Sequence, residues 1–165
     1  MAHSWIPTEQ KLGLQPIADT STVAMHPLGT IVRAVHATYG AGEFIYLKGV
    51  ASTAIGTWVT YDGDDFTTVR LVANAIGPVA VSMSANVASQ YGWYQIHGKA
   101  IGLCLAGFVD NANVYGTATA GSVDDAIVAG DRVQNCKGAS AIGTPSGSFA
   151  EFEIQRPFVN DALAD

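Results

Sequence analysis

GEFIYLKGV (42–50), GTWVTYDGDDFTTVRL (56–71), GPVAVSMS (77–84) and YGWYQIHGKAIG (91–102) follow one another with only a few residues between them. Each is rich in β-branched and aromatic residues, and each is bounded by Gly, Asp, Asn or Ser. Four such runs in about sixty residues leave no space for helices between them, so the spacing predicts an all-β domain. DGDD (62–65), between Val59-Thr60-Tyr61 and Phe66-Thr67-Thr68-Val69, is the clearest hairpin signal. Residues 44–47 are apolar on both faces and are expected in the core with 93–96. In GPVAVSMS the Val79, Val81, Met83 face opposes a small face of Ala80, Ser82 and Ser84, which another backbone or sheet can approach closely. Residues 85–90 are expected to form one helical turn before a strand over 91–98.

The same pattern weakens outward from this stretch. Residues 30–36 form the strand before it. After it, 99–109, 113–119, 126–136 and 149–157 read as strands separated by Gly, Asn and Asp turns. FAEFEIQ (149–155) alternates, with Phe149, Glu151, Glu153 and Gln155 opposite Ala150, Phe152 and Ile154, as in a half-exposed strand. Pro157 is expected to end it. Turn signals every 8–14 residues point to a small β-barrel or a sandwich of short antiparallel strands. Residues 1–28 carry Pro7, Pro16 and Pro27 with isolated apolar anchors and no alternation, which reads as an extended N-terminal arm. It lies across its own domain or docks on a neighbour. The expected organisation is therefore an arm (1–28), a β-rich domain (29–157) and an acidic tail (158–165), with the domain remaining folded when the arm is removed.

Charged residues make up 13% of the chain, against about 25% in typical domains, and mean hydropathy is +0.23. A neutral, partly apolar surface of this kind favours assembly. A chain of 165 residues can bury roughly 70% of its unfolded surface and needs no metal or disulfide to hold a core. Net charge is −6 and the eight basic residues are scattered, which argues against nucleic acid. No signal peptide or membrane-spanning run is present, and the protein is expected in solution inside a cell or assembled there. Cys104 and Cys136 lack metal or redox spacing and read as buried free thiols.

Catalytic equipment is sparse. His3, His26, His36 and His97 fall at no metal-ligand spacing, and His97 reads as a partly exposed hydrogen-bonding residue. Ser82 or Ser84 with Lys99 is conceivable as a Ser–Lys dyad, but Ser is ordinary in a small-residue strand. The acidic groups 62–65 and 124–125 lack the ligand spacing of a calcium loop and read as turn residues. GKAIG (98–102) and AGDR (129–132) are too short for phosphate loops. No catalytic, cofactor-binding or metal site is assigned, and no cofactor is expected.

GEFIYLKGVAS (42–52), GPVAVSMSANVA (77–88) and YGWYQIHGKA (91–100), followed by VYGTATAGSVDDAIVAGDRV (114–133), resemble the decoration, or cement, proteins of tailed bacteriophages. The resemblance covers about residues 28–156 and lies in strand order rather than in a catalytic motif. It implies a β-rich structural protein on the outer surface of the virion capsid, made in the host cytoplasm, that clamps neighbouring capsomers. The implied partners are the major capsid protein and further copies of the chain, commonly as a homotrimer, with no nucleic acid and no membrane. Because such proteins often reach the shell with an N-terminal segment, the resemblance points to Trp5, Ile6, Leu12, Leu14 and Ile17 as partner-binding residues. Two alternatives remain: another β-rich virion component, such as a tail-tube or head-fibre base subunit, or a carbohydrate-binding module using Trp58, Trp93 and Tyr94 as a stacking platform.

Overall fold

A computed structural model describes residues 4–9 and 13–161. Its strands are β1 (Ile6–Pro7), β2 (Thr20–Ser21), β3 (Ile31–His36), β4 (Gly40–Lys48), β5 (Trp58–Tyr61), β6 (Thr68–Arg70), β7 (Gly77–Ser82), β8 (Tyr91–Leu103), β9 (Tyr115–Gly116), β10 (Val123–Asp124), β11 (Gln134–Gly138) and β12 (Phe149–Val159). All named pairings are antiparallel, and the fold is all-β and sandwich-like. Of the two architectures open from sequence, the sandwich is the one formed. A single bridge between Lys48 and Thr67 brings β6 towards β4 without closing a continuous barrel.

β8 organises the layers. Its first half pairs with β4 on one side and, through Tyr94 and Gln95, with β7 on the other. Its second half pairs with β12, in register from Gln155↔His97 to Phe149↔Leu103. β12 therefore inserts between β8 and β7, and its end pairs with the start of β7 at Phe158↔Pro78 and Val159↔Gly77. From this wedge the strand order runs through β4 and β3 to β1 in one direction and through β7 and β5 to β6 in the other, with β11 branching from β12.

Three apolar clusters fill the space. Trp58, Val79, Val81, Phe108, Phe152 and Ile154 belong to the largest, with both cysteines. Ile45, Leu47, Val59, Ala80, Tyr94 and Ile96 form a second. Phe44, Tyr46, Trp93, Val32 and Ala34 form the third. β4 is thus buried on both faces, as its unbroken apolar run predicts. Ala80, on the small face of β7, is fully buried, and the alternation of β12 places Ala150, Phe152 and Ile154 inside.

Cys104 and Cys136 are free and buried. Burial, aided by Asp124 and Asp125, pushes the Cys104 thiol up to about 11, and burial alone pushes Cys136 well above the ordinary range. Tyr94 accepts a 2.8 Å hydrogen bond from Asn86 Nδ2, and burial raises its phenol to about 12.

Several sequence expectations are corrected. Residues 85–90 are irregular chain with a turn at 88–89 closed by a Gln90 N to Val87 O bond, preceded by an Asn86 N to Ser84 O bond, and not a helical turn. The strands expected over 91–98 and 99–109 are one strand to Leu103, because Gly98, at φ +99°, turns the chain without ending it. Within 113–119 only Tyr115–Gly116 is strand. Of 126–136, only residues from Gln134 onward are strand. The apolar stretch 126–129 finds no partner strand and stays exposed. β12 runs through Pro157 to Val159, so residues 158–159 belong to the sheet rather than to a tail. Arg156 adopts φ +50°, and proline is tolerated at such a local irregularity.

Candidate interaction surfaces

The described part of the N-terminal segment lies on its own domain. Thr8 N donates to Arg33 O at 3.0 Å, making Thr8–Arg33 a hydrogen-bonded pair in the β1–β3 register. Pro7 opposite Ala34 then occupies a non-hydrogen-bonded position, where its missing N–H costs nothing. Alternation turns Trp5 inward, where its ring meets Phe44 edge-on at 4.9 Å, lies tilted against His36 at 5.2 Å and stacks with Tyr39 at 6.5 Å. Ile6 faces outward and is 67% exposed, beside its register partner Val35 at 42%.

Of the five residues expected to bind a partner, four are described, and among these only Ile6 presents most of its side chain to solvent. Trp5 and Leu14 are half-buried, and Ile17 is 2% exposed inside the cluster of Phe44, Tyr46 and Trp93. Leu12 lies outside the described residues.

What binds the segment down is a residue that the sequence reading passed over. Gln15 Oε1 accepts from Tyr46 Oη at 2.8 Å and from Ser21 Oγ at 3.1 Å, while its Nε2 donates to Asp19 O at 2.8 Å. Its backbone carbonyl accepts from Trp93 Nε1 at 3.0 Å, and its backbone N–H donates to His26 Nε2. Gln15 is itself 7% exposed, so without these partners its own polar groups would be buried unsatisfied. The available signal was one glutamine among Leu14, Pro16 and Ile17, because a polar residue between apolar anchors must be satisfied if the anchors are buried.

The outer face beside Ile6 and Val35 carries a charge cluster built across three strands. Glu43 Oε1 accepts from Arg33 Nε at 3.1 Å and Oε2 from Arg156 Nη2 at 2.9 Å. The two guanidinium side chains are 71% and 61% exposed, whereas the carboxylate side chain is 15% exposed. The hydrogen bond from Arg156, then that from Arg33, holds Glu43 below the ordinary carboxylate range against the opposing effect of burial. A depressed folded pKa contributes stability above the ordinary value, and that contribution is lost as pH falls through the folded value. Glu43→Gln is therefore expected to cost about 1 kcal/mol at about pH 7, the scale of a partly exposed ion pair, and almost nothing at about pH 3. Urea melts at the two pH values test this, and an equal loss at both would refute it.

The groups considered for chemistry serve structure. Ser82 Oγ lies 2.7 Å from the backbone carbonyls of Ala54 and Ser84 and gives its one proton to either, Ser84 Oγ is buried without a hydrogen-bond partner among the described residues, and Lys99 Nζ is held by Glu151 Oε2, so neither serine is paired with Lys99. Asp62 Oδ1 accepts from Asp64 N, and Asp65 Oδ1 accepts from Thr67 N and Oγ1, which builds the hairpin turn. Asp125 Oδ2 accepts from Val109 N. His36 Nδ1 accepts from Thr38 N and Tyr39 N, and His97 is exposed. Among the described residues no group of three His, Cys, Asp or Glu side chains is placed to hold a metal. Trp58, Trp93 and Tyr94 are fully buried, so they offer no platform to a sugar. No protein-family model, curated protein or solved structure matches the chain.

Proposed function

We propose that this chain is a structural virion protein that binds the outside of a bacteriophage capsid and stabilises contacts between capsomers, without catalysis. The strand-order resemblance suggests the role, and one observation supports it furthest. Asp62, Asp65, Ser82 and Lys99 are held in a turn, backbone hydrogen bonds and an ion pair, while large apolar side chains remain exposed, including the adjoining Ile6 and Val35. In a chain with only 13% charged residues, such a surface favours dry contacts between subunits. Binding at many equivalent positions on a shell would add strength through multiplicity. The partners under this reading are the major capsid protein and further copies of the chain, as a homotrimer.

The full-length protein is expected to co-sediment with expanded shells of the cognate capsid protein and to bind unexpanded shells more weakly. Equal binding to both, or binding to neither, would reject the proposal. The mass of the purified oligomer separates it from a tail-tube subunit, which would assemble as a hexameric ring.

A further inference from the structure

An apolar cavity of about 220 Å³ opens where β8 turns at Gly98, lined by Trp5, Tyr39, Met83, Ile101 and Phe149 around Gln95. Gln95 is 1% exposed. Its Nε2 donates to His97 O at 3.0 Å and to Lys99 O at 3.2 Å. These two bonds fix the orientation of the amide, since only the nitrogen can donate. Oε1 accepts from no donor among the described residues. Unlike the enclosed and unpartnered Ser84 Oγ, Asn86 Oδ1 and Asp131 Oδ2, this oxygen keeps some accessible surface, so an acceptor without a protein donor is left open to a donor brought by a guest.

The lining indicates which donor. Lys99 also borders the cavity, but its ammonium is neutralised by Glu151, so nothing there calls for an anion. The volume falls below the roughly 300 Å³ at which drug-sized pockets begin, and it suits a single ring system. Trp5 and Tyr39 lie nearly parallel at 6.5 Å, and Met83 adds a polarizable thioether, a lining that favours an aromatic guest. We infer that this cavity is a socket for one flat aromatic ring carrying a single N–H or O–H donor, of indole or phenol chemistry, with the donor delivered to Gln95 Oε1. This inference stands independently of the shell-binding proposal.

Indole and indene test it, because they share shape and differ in the N–H. Calorimetric titration of the full chain is expected to show indole binding about tenfold or more tighter than indene, the scale of one unpaired buried acceptor. Gln95→Met should abolish the preference. If that variant loses its fold along with the Nε2 bonds, Ile101→Trp provides the second check by filling the socket and eliminating binding of both ligands. N-acetyltryptophanamide identifies the source of the ring. Binding comparable to indole assigns the socket to a side chain of a partner protein, and binding of indole alone assigns it to a free small molecule. Equal affinity for indole and indene, no saturable binding of either, or undiminished binding to folded Ile101→Trp would overturn the inference.

Discussion

Removing residues 1–28 is expected to unfold the domain rather than free it of an arm. The segment supplies Ile17, fully buried, and Trp5, Leu14 and Leu28, partly buried, to the cluster that covers Phe44, Tyr46 and Trp93. A fully buried large apolar side chain contributes about 1.5–3 kcal/mol, and the partly buried ones contribute a fraction of that each. Deletion also strips the cover from Tyr46 and Trp93, both at 0% exposure. The combined loss is roughly 5 kcal/mol or more, which is comparable to the whole stability of an ordinary domain. Fragment 29–165 should therefore show red-shifted tryptophan fluorescence and no cooperative thermal transition. A cooperative melt within a few degrees of the full chain would show that the third cluster is dispensable.

That expectation reverses the one drawn from sequence, for a physical reason. Proline-bearing chain without alternation has no periodic signal, because such segments are fixed by individual anchors and side-chain hydrogen bonds rather than by a repeating pattern. Gln15 is the anchor that matters most, and six separate hydrogen bonds meet at that one residue. Where periodicity governs the structure, the sequence was legible. The double-sided burial of β4, the alternation of β12 and the Asp-rich hairpin between β5 and β6 all follow from residue order. The apolar residues Ile127 and Val128 mislead because a strand needs a neighbour as well as a composition, and none reaches them. The socket was illegible for a related reason. Gln95 reads as one more residue on the Trp93 and His97 face, yet the register shift between Glu43 and Phe44 and the turn at Gly98 separate the three. Trp93 is in the core, His97 is in solvent, and Gln95 lines the cavity.

Gly98→Val should be among the most damaging single substitutions in the chain, although the sequence places this glycine at the end of a strand, where a replacement would be mild. The residue sits inside β8 at φ +99°, a conformation that β-branched side chains avoid strongly. A Cβ there would also lie 2.4 Å from Ala41 O and 3.1 Å from Gly42 Cα, both backbone atoms of β4 that cannot rotate away. Relief would require β8 to move off β4, yet it is held on the other side by the β12 pairings Ile154↔Gly98 and Gln155↔His97. Backbone strain of about 1–3 kcal/mol and overpacking of similar size then add, for a loss of about 3–5 kcal/mol. Gly63, at the hairpin tip, is the matched control, because a Cβ there meets nothing within 4 Å and its φ is not in the left-handed region. Gly63→Val should change the melting midpoint in urea little, while Gly98→Val lowers it by a large fraction of its value. If the two variants melted alike, Gly98 would not be the fixed point at which β8 passes from one layer to the other, and the wedge formed by β12 would have to tolerate a shift of the whole strand.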